Sequence, residues 1–378
     1  MYKIATLNKI SKVGLAELTD AYEITETVEE AQGILVRSAD MLSMEFSPEL
    51  QAIARAGAGV NNIPLERCAE SGIVVFNTPG ANANAVKELT IAGLFLASRN
   101  IAPALTWAAG LTEDVSKTVE KGKSQFAGTE ITGKTLGVVG LGAIGRKVAE
   151  AASALGMKVS GYDPFFDGEV PYPVFSDLKE LLPACDYVSI HVPANDNTKG
   201  MFNKELFDIM KDGVKVLNFS RDKLVKDADL LDALALGKVG CYVTDFPNDA
   251  LVGKEGVILL PHLGASTEEA EDNCAVMAVN EIRDYFENGN IINSVNFPKT
   301  DMGPLGEYPR FGFLVKDMEN PVQEVMDMVS TMGIPMFKIS GGNKKGFGYV
   351  LVELATNEKV QYTGPVSDKV IAVKTFTK

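Results

Sequence analysis

The first hundred residues alternate short apolar runs with stretches of helical periodicity. Three runs, Ile34-Leu-Val, Ala52-Ile-Ala and Ile73-Val-Val-Phe, lack the polar–apolar alternation of a half-exposed strand. Continuous apolar runs of this length are typical of parallel strands covered on both faces. Residues 86–96 instead repeat apolar side chains at helical spacing. The pattern predicts an α/β domain with a doubly wound parallel sheet.

A second α/β series begins at Leu136. Helical segments separate its predicted strands, which lie at 137–139, 158–162, 187–191, 216–218, 241–244 and 257–259. This rhythm predicts a second doubly wound parallel sheet. A long amphipathic helix follows at 266–288 and ends at the stop signal Asn288-Gly289-Asn290. We expect the chain to return at this helix to the first domain.

The last part of the chain predicts a small α+β module after a linker at 301–306. We expect a strand at 311–316, a helix at 321–332, strands at 337–340 and 349–354 with a hairpin turn at 341–346 between them, and a helix or strand at 369–375. The predicted domains are therefore residues 1–100 with 266–300, residues 101–265, and residues 301–378.

A glycine-rich turn joins the first strand of the second series to its helix. Gly140 permits a tight turn, Gly142 lets a pyrophosphate approach the backbone, and Gly145 lets the helix pack close to the sheet. The helix start offers free N–H groups to phosphate oxygens. Asp163, at the end of the next strand, suits hydrogen bonds from an adenosine ribose and repels a 2′-phosphate. The spacing predicts a Rossmann-like domain that binds NAD in preference to NADP.

The composition excludes several classes of partner. The 378-residue chain is 46% hydrophobic, and its net charge of −14 disfavours nucleic acid and anionic membranes. No apolar run is long enough to span a membrane, and the N-terminal residues resemble a first strand and not a signal peptide. The four cysteines are scattered, so we expect no metal site, no disulfide framework and a cytoplasmic location.

The chain has only two histidines, and each follows a predicted strand. The carboxyl ends of such strands face the ligand crevice of an open α/β sheet. His262, in Leu-Pro-His-Leu-Gly, is the candidate base for an alcohol proton, although a loop histidine bonded to backbone fits the spacing equally well. His191, in Ser-Ile-His-Val-Pro, fits a structural residue that packs against a cofactor.

An arginine and two aspartates also follow strands. Arg221 can grip a carboxylate through two parallel hydrogen bonds, or else pair with Asp222 or Asp227 on the surface. Asp249 is the candidate carboxylate partner of His262, with a simple turn aspartate as the alternative, and Asp245 lies nearby.

Several ordered motifs resemble one known family. They are Leu35-Val-Arg37-Ser38, Arg55-Ala-Gly57-Ala-Gly59, Asn77-Thr-Pro-Gly, the glycine fingerprint, Val188-Ser-Ile-His-Val-Pro, Asn218-Phe-Ser-Arg221 and Pro261-His262-Leu-Gly-Ala-Ser. Together they make the chain similar to the D-isomer-specific 2-hydroxyacid dehydrogenases over roughly residues 30–300. The resemblance implies two Rossmann-like domains and hydride exchange between NAD and a small anionic 2-hydroxy acid.

The resemblance also implies roles for individual residues. Arg221 orients the substrate, His262 is the acid/base, and a carboxylate supports that histidine. Substrate contacts fall at Arg37, Ser38, Arg55, Gly57, Lys123, Arg221 and His262, where the basic groups meet a phosphate or carboxylate. Cofactor contacts fall at Gly140, Gly142, Ala143, Ile144, Gly145, Asp163, His191, Val192, Pro193, Phe219, Ser220, Arg221, Asp245, His262, Gly264 and Ala265.

The chain departs from the family pattern in two places. Arg221-Asp222-Lys223 replaces Arg-Gly-Gly, and Thr244-Asp245-Phe246-Pro247-Asn248-Asp249 replaces a stretch that ends in glutamate. When this stretch is aligned with the family pattern on Phe246, Asp249 falls at the glutamate and Thr244 at the aspartate that faces the cofactor. Asp245 takes over the role of that aspartate if the alignment shifts by one residue.

The C-terminal module resembles an ACT domain, a small regulatory unit fused to some of these dehydrogenases. Its loop reads Asp317-Met-Glu-Asn-Pro-Val where Arg-Pro-Gly is usual, so we expect a dimerising or degenerate module in a homodimer or homotetramer. The resemblance implies a phosphorylated 2-hydroxy acid as the substrate, with lactate, glycerate, 2-hydroxyglutarate or a branched-chain acid as alternatives. A non-enzymatic NAD-binding corepressor on the same scaffold is a further alternative.

Overall fold

The computed structural model describes residues 1–378, in which three sheets are formed. The first part of the chain contains β1 (Tyr2–Thr6), α1 (Lys12–Leu15), β2 (Tyr22–Thr25), β3 (Gly33–Val36), β4 (Ala52–Arg55), α2 (Leu65–Glu70), β5 (Val74–Asn77), α3 (Ala83–Arg99), α4 (Ile101–Ala109) and α5 (Val115–Gly122).

The middle of the chain repeats the alternation of strand and helix. It contains β6 (Thr135–Val139), α6 (Ala143–Ala154), β7 (Lys158–Tyr162), β8 (Val174–Phe175), α7 (Leu178–Leu181), β9 (Tyr187–Ile190), α8 (Lys204–Ile209), β10 (Val214–Asn218), α9 (Asp227–Ala235), β11 (Val239–Thr244) and β12 (Val257–Leu259).

The last part begins with the longest helix. It contains α10 (Glu268–Asn288), β13 (Arg310–Lys316), α11 (Pro321–Ser330), β14 (Met336–Lys344), β15 (Phe347–Leu354) and β16 (Val370–Phe376). Four short 3₁₀ helices lie at Val28–Glu30, Lys123–Phe126, Leu182–Ala184 and Asp222–Leu224.

Two of the sheets are parallel and doubly wound, which confirms the predicted fold class. The first has the order β2-β1-β3-β4-β5, and the second has the order β12-β11-β10-β9-β6-β7-β8. The order reverses beside β1 in the first sheet and between β6 and β9 in the second. Ligands of open α/β sheets bind outside the carboxyl ends of the strands at such points.

The third sheet is antiparallel, with the order β14-β15-β13-β16, and confirms a small α+β module. Residues 370–376, predicted as helix or strand, form a strand. β14 extends through Gly341 and Gly342, so the hairpin turn is shorter than the sequence predicts.

The chain divides into two compact units: residues 1–82 with 268–378, and residues 83–267. This division differs from the predicted boundaries. Helix α3 belongs to the second unit because Leu94 and Ala97 pack in one core with Val138 and Leu217. The C-terminal module belongs to the first unit because Leu314 and other residues of its sheet share a core with α10.

Both faces of the third sheet are buried. On β15, Tyr349 and Leu351 pack toward α10, while the alternating Val350 and Val352 pack in the core that contains Val325 of α11. A strand places successive side chains on opposite faces, so this alternation seats the sheet between two helices.

No single helix is long and apolar enough to cross a membrane. Helices α3 and α4 have the length and apolar composition of a membrane span only when taken together, and the chain bends by 73° between them.

A buried arginine fixes the segment that enters the third sheet. Arg310 is 2% exposed, and its Nε donates to Oε2 of Glu353 at 2.6 Å. Its Nη1 donates to the carbonyl oxygens of Gly303 at 2.7 Å and Asn288 at 3.1 Å, and its Nη2 donates to that of Pro304 at 3.1 Å. One guanidinium therefore joins the end of α10, the predicted linker and the sheet.

We expect Arg310→Met to lower the free energy of unfolding by about 3–5 kcal/mol, because it leaves the buried Glu353 carboxylate without a partner. Urea denaturation measures the change. The double variant Arg310→Met/Glu353→Leu is the control, and it should recover most of the loss because it removes both buried charges. A single variant within about 1 kcal/mol of the unmodified protein would contradict this role.

Candidate functional site

The glycine turn of the second unit fits a phosphate-bearing ligand. Gly140 follows β6 with a φ of 97°, a conformation that favours glycine. A Cβ on Gly145 would lie 1.9 Å from the carbonyl oxygen of Gly140, so only glycine allows α6 to approach the strand. A Cβ on Gly142 would meet no atom within 4 Å, which leaves the backbone open beside the N–H groups of Ala143 and Ile144.

Asp163 follows β7 and is bonded to this turn. Its Oδ2 accepts a hydrogen bond from the Leu141 N–H at 3.0 Å, and its Oδ1 accepts one from the Phe165 N–H at 3.0 Å. A cavity of about 620 Å³ lies beside it, lined also by Phe166 and Glu169. Two carboxylates at one cavity disfavour a 2′-phosphate, so the site suits an adenosine ribose without one.

His191 is a neutral structural residue. Its N–H donates to the carbonyl oxygen of Val139 at 2.7 Å, and its Nε2 is 2.8 Å from Oγ of Ser189. Burial lowers the pKa of the imidazole to about 3, and Nδ1 is buried without a hydrogen-bond partner. An imidazole with so low a pKa is a weak base, so His191 is poorly suited to take up an alcohol proton near neutral pH.

A network of hydrogen bonds holds the turn that carries Arg221. Asn218, at the end of β10, donates from Nδ2 to the carbonyl oxygen of Arg221 at 2.8 Å and accepts from the Ser220 N–H at 3.2 Å. Oγ of Ser220 donates to the carbonyl oxygen of Val192 at 2.6 Å. Arg221 is exposed and forms no ion pair, so Asp222 and Asp227 do not engage its guanidinium.

Asp245 is a buried acid that directly follows β11, at the edge of the sheet where the carboxyl ends of the strands lie. It is 1% exposed, its Oδ2 accepts from the Gly264 N–H at 2.7 Å, and its carbonyl oxygen accepts from the His262 N–H at 2.9 Å. Burial raises the pKa of the carboxyl, while the Gly264 N–H and the charges of His262 and Arg221 oppose that rise. Oδ1 is buried without a partner, so it is an acceptor available to an N–H group of a bound ligand.

His262 lies on an exposed loop with a φ of 44°. The ring of Phe246 packs against its imidazole with 4.9 Å between centroids. Asp249 is exposed, and no hydrogen bond joins it to His262. The structure thus brings His262, Arg221 and Asp245 to one edge and leaves Asp249 apart from the imidazole.

The first unit places its predicted basic residues at the carboxyl ends of β3 and β4. Oδ1 of Asn8 accepts hydrogen bonds from the N–H groups of Arg37 at 3.0 Å and Ser38 at 2.9 Å. Nε of Arg55 donates to the carbonyl oxygen of Arg37 at 3.0 Å. Gly57 has a φ of 147°, a backbone conformation that favours glycine.

Acidic residues already engage two of the predicted basic groups. Nη1 of Arg37 lies 2.6 Å from Oε1 of Glu271, and Nζ of Lys123 lies 2.5 Å from Oε2 of Glu120. No contact joins Lys123 to Arg221 or His262 within the second unit.

Sequence reasoning did not identify Asn8, Phe246 or Glu271 as part of these arrangements. Phe246 and Asn218 lie within the stretches that resemble the family, but the sequence did not predict which residues they contact. Asn8 and Glu271 carry no local signal, because each acts on residues distant in the sequence. The remaining predicted cofactor positions, Pro193, Phe219 and Ala265, lie in the same loops after β9, β10 and β12.

Comparison with known proteins places these features in a family. Residues 92–264 match the model of the D-isomer specific 2-hydroxyacid dehydrogenase NAD-binding domain. The chain is 33% identical over 337 residues to a D-3-phosphoglycerate dehydrogenase of Methanocaldococcus jannaschii, covering 86% of this chain and 63% of that protein. It is 35% identical over 289 residues to a D-3-phosphoglycerate dehydrogenase of Rattus norvegicus, covering 72% of this chain and 52% of that protein.

A solved structure shows the same likeness. The crystal structure of NAD⁺-bound 3-phosphoglycerate dehydrogenase of Entamoeba histolytica superimposes with a TM-score of 0.65 at 28% identity, covering 78% of this chain and 98% of that one. The chain spans about half to two-thirds of the length of the Methanocaldococcus jannaschii and Rattus norvegicus proteins. Residues 92–264 therefore form a D-isomer specific 2-hydroxyacid dehydrogenase NAD-binding domain.

Proposed function

We propose that the protein is an NAD-dependent D-3-phosphoglycerate dehydrogenase. It oxidises 3-phospho-D-glycerate to 3-phosphohydroxypyruvate, the first step of phosphorylated L-serine biosynthesis. The names of the relatives support this substrate. The observation that carries the proposal is that the exposed His262 lies at the same edge of the sheet as Arg221, which is exposed and forms no ion pair.

Each residue at this edge of the sheet has one role in the proposed oxidation. Arg221 binds the C1 carboxylate through two parallel hydrogen bonds and so orients C2. His262 removes the proton of the C2 hydroxyl group as general base. The bound NAD supplies the hydride acceptor. Asp245 holds the His262 loop, because its carboxylate accepts from the Gly264 N–H and its carbonyl oxygen accepts from the His262 N–H.

The cofactor is proposed to rest on the glycine turn and Asp163. The N–H groups at the start of α6 bind the pyrophosphate, and the Asp163 carboxylate accepts hydrogen bonds from the ribose. Oδ1 of Asp245, which has no partner within the protein, accepts from the carboxamide end of the dinucleotide.

The substrate is tested by following NADH absorbance at alkaline pH with the keto product trapped. We expect turnover with 3-phospho-D-glycerate well above that with lactate, glycerate, 2-hydroxyglutarate or a branched-chain 2-hydroxy acid. Turnover with an unphosphorylated acid alone would reject the phosphorylated substrate but leave the proposed roles of Arg221 and His262 intact. Tight NADH binding without turnover of any acid would favour the non-enzymatic corepressor.

The general base is tested by His262→Ala, which we expect to lower kcat by about 10²–10⁴-fold, the usual size of an acid–base contribution. His191→Ala is a control for the other histidine, since its imidazole is neutral and its effect should fall on stability and NADH affinity instead. NADH titration shows whether each variant still binds the cofactor. An unchanged kcat in a folded His262→Ala would refute the assignment.

The supporting acid is tested by comparing Asp245→Asn with Asp249→Asn. We expect the larger loss of kcat/KM in Asp245→Asn, about 10- to 150-fold, because its hydrogen bonds then go to a neutral group, whereas those to a charged group contribute roughly 1.5–3 kcal/mol. The amide retains an oxygen for the Gly264 N–H, so the change is mainly one of charge. A larger loss in Asp249→Asn would assign the support to that residue instead.

A further inference from the structure

A cavity of about 500 Å³ lies on helix α10 in the first unit. Met277, Glu281 and Asp284 line it from one face of the helix, because residues three and four apart share a face. Phe76 and Ile292 contribute apolar surface. None of the residues used in the proposed reaction lines this cavity, and no lysine, arginine or histidine does.

Glu281 is the unusual residue of the cavity. Its side chain is 7% exposed, and Nδ2 of Asn293 donates to its Oε1 at 2.6 Å. Its Oε2 is buried with no hydrogen-bond partner. A buried carboxylate oxygen without a partner is costly, and most such groups in folded proteins bind a donor.

The other carboxylate of the cavity is partly engaged. Oδ1 of Asp284 accepts from Nδ2 of Asn288 at 2.8 Å and from Nδ2 of Asn290 at 2.9 Å. Its charge adds to that of Glu281, and these two are the only titratable side chains that line the cavity. The lining therefore attracts a positive charge and repels a carboxylate or phosphate.

We propose that this cavity binds a small organic cation with a primary ammonium group, which donates a hydrogen bond to Oε2 of Glu281. The short apolar chain of the ligand packs against Met277, Ile292 and Phe76. Amino acids bind less well, because their carboxylate meets Asp284 and no cation. The site is separate from the proposed reaction and does not depend on it.

Burial, with a smaller effect of the Asp284 charge, raises the pKa of Glu281 to about 7. The ammonium group binds the ionised carboxylate, so affinity is expected to rise between pH 6 and pH 8 as Glu281 loses its proton.

The test is isothermal titration of the full chain with n-propylammonium chloride. We expect saturable binding that Glu281→Gln weakens roughly 10- to 100-fold, the usual range for loss of a charge-assisted hydrogen bond. Glu269→Gln is the matched control, since it makes the same change at an exposed position on the same helix, and it should bind like the unmodified protein. Tetramethylammonium, which has the charge but no N–H donor, and propionate should not bind.

Two results would overturn the proposal: no saturable binding of n-propylammonium at pH 8, or equal binding by Glu281→Gln. Should Glu281→Gln fail to fold, Met277→Phe fills the cavity from a half-buried position and should abolish binding. Affinity in the unmodified protein that does not change from pH 6 to pH 8 would also count against Glu281 as the partner.

Discussion

The burial of helix α10 between two sheets is the interaction on which the first unit depends. Tyr285 is fully buried, and its ring lies 5.9 Å from Phe76 of the first sheet and 6.3 Å from both Tyr349 and Phe376 of the third. Burial of aromatic side chains contributes more apolar area than that of any other residue type. The C-terminal module is therefore part of the core of this unit and not a separate body on a flexible linker.

The site of the second unit depends on a different constraint. Parallel strands have their carboxyl ends at one edge of the sheet, so the topology alone brings residues that are far apart in sequence together there. Their loops are then fixed by polar contacts from neighbouring strands, as when Asp163 bonds to Leu141, Ser220 to Val192 and Asp245 to Gly264. Such support restricts the loops before any ligand binds, which favours precise orientation of reacting groups.

The sequence predicted what periodicity and turn chemistry determine. Buried parallel strands, the glycine turn and the order of the three sheets follow from local patterns, and the structure contains them. Helices α4 and α5 were not predicted. The sequence also did not reveal that His191 is more buried than His262, because both histidines follow strands. The pairing of Arg37 with Glu271 joins residues more than 200 positions apart, and no spacing rule reveals it.

That pairing is also weak enough to be exchanged for a contact with another anion. Arg37 and Glu271 are 37% and 44% exposed, and exposed ion pairs contribute only about 0–1 kcal/mol. An anion that displaced Glu271 from Arg37 would therefore lose little, and Oδ1 of Asn8 already holds the backbone of Arg37 in place. The same holds for the exposed pair of Lys123 and Glu120. Within each unit, the carboxylate beside the cation disfavours anions that make no further contact there.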